Sequence, residues 1–238
     1  LHKIYKCNFL NAEGNDEMDK EIESYLESLL PASPKSVENL EKYAEINHVP
    51  IINRNSMHMI NLILTMKQPR NILEVGTAIG YSALRMLEGV EDAKIVTIEK
   101  DDERYKEALT NIRAQNKEAQ IEVILGDASD VMQELAEQKK RFDVVFIDAA
   151  KGQYQTYFDL ADKMLLPGGV LITDNVLFRG MVYSNEEVPK RYKTLVRKLK
   201  LYNEMVMNHP DYHTSIIPID DGISISYKRI SERKESKT

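Results

Sequence analysis

The sequence predicts an α/β fold: a doubly wound, seven-stranded, mostly parallel sheet with an antiparallel C-terminal strand and N-terminal covering helices. Three observations carry this. Five short apolar runs lie between residues 71 and 173, each separated from the next by a segment of helical spacing. Strands alternating with helices of this length build parallel βαβ units with right-handed crossovers. Two further apolar runs near the C-terminus stand too close together for a helical crossover, so they pair antiparallel. The stretch before residue 70 shows only helical periodicity, which suits a cover rather than a strand.

In chain order, residues 1–15 have no clear period and are read as an extension without an assigned role. From Asp16 to Leu30 the apolar Met18, Ile22, Tyr25, Leu26 and Leu29 recur at helical spacing on an acidic background. Ser33-Pro34 reads as an N-cap with proline in the first turn, opening a second helix to Asn47. Val49-Pro50-Ile51-Ile52 is an extended linker, because proline disfavours helix in the residue before it. A third helix covers Ser56–Lys67. Strands follow at Asn71–Val75, Lys94–Glu99, Ile121–Leu125, Phe142–Ile147 and Val170–Thr173. The helices between them are Tyr81–Leu87, Asp102–Asn116, Ala128–Glu137 and Tyr154–Leu165. A long basic helix, Glu187–Met207, precedes the closing strands His213–Pro218 and Gly222–Arg229. The whole reads as a single domain over 16–230, with a helical cover at 16–68 and a charged, frayed tail at 231–238.

Bulk properties narrow the function. The chain has 238 residues, 42% hydrophobic and 29% charged, which is ordinary for a globular protein. No apolar run reaches the roughly 18 residues of a membrane span, and the N-terminus lacks the apolar core of a signal peptide. A cytoplasmic protein with no membrane partner is therefore expected. Cys7 is the single cysteine, which excludes an internal disulfide or a cysteine zinc site. A net charge of −6 argues against coating nucleic acid through the overall field. A local basic run remains: Lys190, Arg191, Lys193, Arg197, Lys198 and Lys200 lie between Val188 and Leu201 with no acid among them. Such a run is either a solvated helix face or a phosphate-binding patch.

In a doubly wound sheet, ligands bind beyond the carboxyl ends of the strands, so the strand tips are the candidate site. The first ends in Glu74-Val75-Gly76, with Gly80 opening the next helix and Ser82 in its first turn. Glycines there admit a ligand to the backbone, and the helix N-terminus favours an anionic group. The second ends in Glu99, placed to take both hydroxyls of a ribose, and the third in Gly126-Asp127-Ala128, suited to an adenine amine. The Gly-x-x-x-Gly spacing lacks the close Gly-x-Gly of a dinucleotide site, and Glu74 suits a cationic ligand. An S-adenosyl-methionine site fits better. The fourth strand ends in Asp148, followed by Lys151, and the fifth in Asp174-Asn175. Singly, each of these acids or amides also reads as a turn former. At neighbouring tips Asp148, Asp174 and Asn175 form an oxygen set for a hard cation such as Mg²⁺, and the lack of His and Cys disfavours zinc.

These residues resemble the cation-dependent O-methyltransferases, the group that includes catechol and caffeoyl-CoA methyltransferases. The motifs are EVGTAIGYS, the acid of TIEK, GDA, FIDAAKGQY and TDNVL, across residues 70–180. With VPII and YNEMVMNHPDYHTSIIPIDDGISIS included, the chain from Asp16 to Lys228 is similar to the bacterial tRNA 5-hydroxyuridine methyltransferases, which make 5-methoxyuridine at the wobble position. The resemblance implies a Rossmann-like class I S-adenosyl-methionine methyltransferase fold. It implies that the methyl donor lies against Ile52, Glu74, Gly76, Ser82, Glu99, Asp127, Ala128 and Asp148. Mg²⁺ is implied on Asp148, Asp174 and Asn175, with Lys151 beside the reacting oxygen to take or steer its proton or to pair with the carboxylates. Family members often carry Met where Ile52 stands. The implied partner is a tRNA anticodon loop, its phosphates held by Arg179, Lys190, Arg191, Lys193, Arg197 and Lys198, and the implied assembly is a homodimer. A small-molecule O-methyltransferase of the catechol or caffeoyl-CoA kind is the alternative. His209 and His213 are read as structural, and Tyr154 either as core or as a cap on the metal site.

Overall fold

The computed structural model describes residues 21–230. The extension read at 1–15, residues 16–20 of the first expected helix, and the tail at 231–238 lie outside the described residues. The chain divides into two compact units, residues 1–33 and 34–238. In the first, residues 21–28 are helical, with Ile22, Tyr25 and Leu26 exposed.

The second unit holds the sheet. Its elements are α1 (Lys35–Ile46), α2 (Arg54–Lys67), β1 (Asn71–Val75), α3 (Tyr81–Gly89), β2 (Lys94–Glu99), α4 (Asp102–Ala114), β3 (Ile121–Leu125) and α5 (Ala128–Glu137). After these come β4 (Phe142–Ile147), α6 (Tyr154–Met164), β5 (Leu165–Thr173), α7 (Lys193–Asn208), β6 (Tyr212–Ile217) and β7 (Ile223–Lys228). The strand order is β3-β2-β1-β4-β5-β7-β6. Neighbours from β3 to β5 pair in parallel, whereas β7 is antiparallel to both β5 and β6. Six strands therefore run one way and β7 the other, the sheet the apolar runs predict.

Alternation along the strands fills two cores. Successive side chains of a strand point to opposite faces. Ile72, Val144 and Ile172 pack under α1–α4, while Leu73, Val145 and Leu171 pack against α5–α7. Strands buried on both faces read as continuous apolar runs, which is why β1 and β4 were visible in the sequence. Chain order reverses between β1 and β4, and there Val75 pairs with Ile147 while Ile147 pairs with Thr173. The register thus ends three strands at one level, and the residues that follow them emerge side by side.

Several boundaries differ from expectation, most by a residue or two, and three differences have a clear local cause. Strand β5 begins at Leu165, not Val170. Pro167-Gly168-Gly169 reads as a turn, yet the β4–β5 register shifts between Phe142 and Val144, and this irregularity accommodates a proline and a glycine of positive φ. The basic helix does not begin at Glu187: a short 3₁₀ turn covers Lys190–Tyr192 and α7 starts at Lys193. Pro189 keeps Val188 out of the helical region. Helix α2 starts two residues early, at Arg54, because Asn53 caps it by accepting the Asn55 N–H at 2.8 Å.

Candidate active site

The tip of β1 is held against the tip of β4 by close backbone contact. Gly76 has φ +105°, and a Cβ there would sit 2.0 Å from the Asp148 carbonyl oxygen. Asp148 N–H donates to Val75 O at 2.9 Å, and Gly76 N–H to Ile98 O at 3.1 Å. The chain then turns through Ala78 (φ 46°) and Gly80 (φ 82°) into α3. Beside this turn, Glu99 is clamped. One carboxylate oxygen accepts the Ala78 N–H at 2.8 Å and the other accepts those of Lys100 and Asp101 at 2.9 Å. Three backbone donors fix the plane of a group only 7% exposed. Asp127 caps α5 through one oxygen, accepting Ser129 N–H at 2.9 Å.

A cavity of about 400 Å³ opens over these tips. Of the residues implied as donor contacts, Ile52, Gly76, Ser82, Glu99, Asp127, Ala128 and Asp148 line it. Glu74 does not. It is 0% exposed and lies behind the wall, accepting hydrogen bonds from Ser82 Oγ and from Thr97 Oγ1, the latter at 2.6 Å. Thr97 has one hydroxyl proton, so Thr77, 2.6 Å away, donates to it in turn. Burial pushes the Glu74 carboxyl up to about 7, against the pull of the two hydroxyls.

The other end of the cavity carries Asp148, Lys151, Asp174 and Asn175. Asp174 is 2% exposed, and its N–H donates to Ile147 O at 3.0 Å, which locks the β5 tip to the β4 tip. Asn175 follows in the left-handed region at φ 55°, which asparagine tolerates better than most residues. Its Oδ1 accepts from Lys151 Nζ at 2.8 Å. Burial raises the Asp148 carboxyl, with Lys151 opposing. Burial and then the neighbouring Asp148 push Asp174 up to about 7. Two crowded carboxylates and an amide oxygen, with one ammonium among them, are the donor chemistry a hard divalent cation takes. Among the described residues no group of three or more His, Cys, Asp or Glu stands where it could hold a metal ion.

Tyr154 proves to be core with a second task. It is buried, and its hydroxyl donates to the Asp174 carbonyl at 2.8 Å. The His209 ring meets Phe158 at a tilt and Tyr212 edge-on, at 5.3 and 5.0 Å, and neither His209 nor His213 lines the cavity. Arg179 and the basic residues of 190–200 are exposed. Lys193 pairs with Glu187 at 2.9 Å, Arg191 lies over the Tyr192 ring, and Lys198 Nζ is engaged with the Gly152 carbonyl at 2.9 Å.

Sequence reasoning missed Asp220, Arg104 and Gln153, all on the cavity wall. Asp220 (φ 50°) sits in the turn between β6 and β7 and helps raise Asp174. The only signal for it was the IDDG turn itself, whose placement depends on β7 pairing with β5. No helix among the described residues is long and apolar enough to cross a membrane.

Comparison with known proteins agrees with the geometry. The model of a family described as O-methyltransferase matches residues 29–229. A catechol O-methyltransferase of Niastella koreensis is 32% identical over 55% of this chain and 60% of its own. A Staphylococcus aureus structure, provisionally assigned as a caffeoyl-CoA O-methyltransferase, is 34% identical, with TM-score 0.81 over 87% of this chain and 99% of that one. The Bacillus cereus O-methyltransferase solved with S-adenosyl-homocysteine is 26% identical, with TM-score 0.80 over 90% and 99%. With the match running through every strand and every residue of the cavity, the chain belongs to the O-methyltransferase family.

Proposed function

We propose that the protein transfers the methyl group of S-adenosyl-methionine, with Mg²⁺, to an oxygen that neighbours a second oxygen on a planar ring. The acceptor is 5-hydroxyuridine at the wobble position of tRNA. One observation carries this reading: a single cavity joins the fixed Glu99 and Asp127 at one end to Asp148, Lys151, Asp174 and Asn175 at the other. The first pair suits ribose hydroxyls and an adenine amine; the second group suits a cation and an acceptor oxygen.

When bound, the donor supplies a methyl already activated by its sulfonium, and the cation supplies Lewis acidity toward a coordinated hydroxyl. Glu99 would orient the ribose and Asp127 the adenine. Asp148, Asp174 and Asn175 would hold the cation. Lys151 Nζ, 2.8 Å from Asn175 Oδ1, stands at the acceptor end of the cavity, where as a neutral amine it would take up the hydroxyl proton, or as an ammonium would pair with the carboxylates while that proton leaves to solvent. Ile52 and Tyr157 add apolar wall that limits water. Alignment of this kind accounts for a large share of catalysis in group transfer.

The tRNA acceptor is supported by the exposed cations on the 190–192 turn and α7. A wobble base lies in a single-stranded loop and can be splayed into a cavity while its phosphates meet Lys and Arg. A small catechol-like acceptor is the second reading. The adjacent oxygens of catechol match those at positions 4 and 5 of hydroxyuridine, and the Niastella relative bears that name. Incubation with labelled donor, Mg²⁺, and either hydroxyuridine-bearing tRNA or catechol separates the two. We expect tRNA labelling, reduced at least ~100-fold by Asp174→Asn, a loss typical for removal of a group that organises transition-state charge. Labelling of catechol alone selects the second reading, and labelling of neither rejects both.

A further inference from the structure

Lys193, Arg197 and Lys200 are exposed on α7, while Lys198, Tyr202 and Asn203 of the same helix grip the two segments that carry the candidate catalytic groups. Lys198 Nζ donates to the Gly152 carbonyl at 2.9 Å, inside the 3₁₀ turn that begins with Lys151. One helical turn further, the Tyr202 hydroxyl lies 2.6 Å from Thr173 Oγ1 at the end of β5. Its ring meets Tyr154 edge-on at 5.4 Å, and Tyr154 in turn holds the Asp174 carbonyl. Asn203 Nδ2 donates to the buried Val176 carbonyl at 3.0 Å, one residue past Asn175. Residues four apart on a helix share a face, so these contacts act through one rigid body. The Lys151 turn is short, and 3₁₀ hydrogen bonds are poorer than α-helical ones. Its own Gln153 N–H to Ala150 O bond at 2.8 Å is supplemented by Ser129 Oγ on Gln153 at 2.9 Å and by Lys198.

We propose that Lys198 and Asn203 are positioning residues: α7 holds the Lys151 turn with one and the Asp174–Asn175 tip with the other. The helix that offers charge to a polyanion therefore also sets where Lys151 stands relative to Asn175. This rests on reading those residues as the reacting site. It reassigns Lys198 from phosphate contact to tether.

The test compares Lys198→Met, Lys198→Arg and Asn203→Ala with the unmodified protein. Lys198 is exposed, so its loss leaves the core intact, whereas Asn203 is buried and its variant is checked for folding by thermal unfolding. Hydrogen exchange of the Gln153 amide should quicken in Lys198→Met and recover in Lys198→Arg, which retains a donor. At saturating acceptor, Lys198→Met should lower kcat roughly three- to tenfold, the value of about one lost hydrogen bond, on tRNA and on catechol alike. KM for the donor should not change. Asn203→Ala, if folded, should lower kcat in the same way. Unchanged Gln153 exchange overturns the tether. A raised KM for tRNA with unchanged kcat would return Lys198 to phosphate binding and overturn the inference. Should neither acceptor be methylated even by the unmodified protein, the proposed function fails, while Gln153 exchange still upholds or overturns the tether.

Discussion

Glu74 shows how far a residue's role depends on the layer beneath the ligand. A strand-tip acid reads as a partner for a cationic cofactor, yet this one faces Ser82 and Thr97 rather than the cavity. Its contribution is to orient the Ser82 hydroxyl, which does line the cavity. Burial raises its carboxyl from 4.5 to about 7, so the folded state binds more protons than the unfolded state between those values. Stability from this group is therefore greatest below about 4.5, falls as pH rises toward 7, and is level above. At 1.36 kcal/mol per pKa unit the full penalty is on the order of 3 kcal/mol. Glu74→Gln removes the titration while one hydroxyl turns to accept from the amide. Urea unfolding of the metal-free protein should then show a difference. From pH 5 to 8 the unmodified protein should lose roughly 2 kcal/mol more than Glu74→Gln. Equal losses would mean that Glu74 stays ionised throughout.

At the level of elements, the site depends on how closely β1 and β4 end together. Gly76→Ala places a methyl 2.0 Å from the Asp148 carbonyl oxygen, in backbone at φ +105°, and no flexible side chain is there to yield. Gly80→Ala also meets a positive φ, but its nearest atoms are at 3.6 Å, ordinary contact. The second should lose only the left-handed penalty of about 1–2 kcal/mol. The first should lose about 3 kcal/mol or more and separate Asp148 from Gly76. Unfolding curves for the pair check the ranking, and comparable midpoints would show that the β1 and β4 tips have slack. The same elements explain what was legible in the sequence. Strands β1 to β4 and the end of β5 are apolar runs bounded by turn residues, and β1 and β4 are covered on both faces, so the tips, and with them Glu99, Asp127, Asp148 and Asp174, followed from local pattern. The start of β5 did not, because Pro167-Gly168-Gly169 carries turn chemistry that only the irregular pairing with β4 overrides. Asp220 and the Lys198–Gly152 bond were hidden for a different reason. Each depends on packing between parts of the chain 46 residues apart in sequence, as for Asp174 and Asp220, whose separation is likewise about that distance, and no periodicity records such contacts.

At the scale of the whole molecule, charge separates the two proposed acceptors. The chain carries −6, so its mean field repels a polyanion, and affinity for tRNA has to come from local cations, chiefly Lys190, Arg191, Arg197 and Lys200, with Arg179 beside them in the proposed contact set. Lys193 adds less, because Glu187 already answers it, and Lys198 is turned to Gly152. About four phosphate contacts on a single-stranded loop give a slope near −3 for log affinity against log salt, or roughly a 50-fold loss between 50 and 200 mM. Surrounding acids make the fall shallower, since added salt screens their repulsion of the polyanion as well as the local attraction. Arg197→Gln should remove one contact and flatten the slope by about 0.7. Turnover of catechol, which carries no phosphate, should hardly change over the same range. Filter binding of hydroxyuridine-bearing tRNA at five salt concentrations, beside catechol turnover in the same buffers, measures both. A flat tRNA curve would leave the α7 face as a solvated surface, and the small-molecule acceptor would then be the better account of the same cavity.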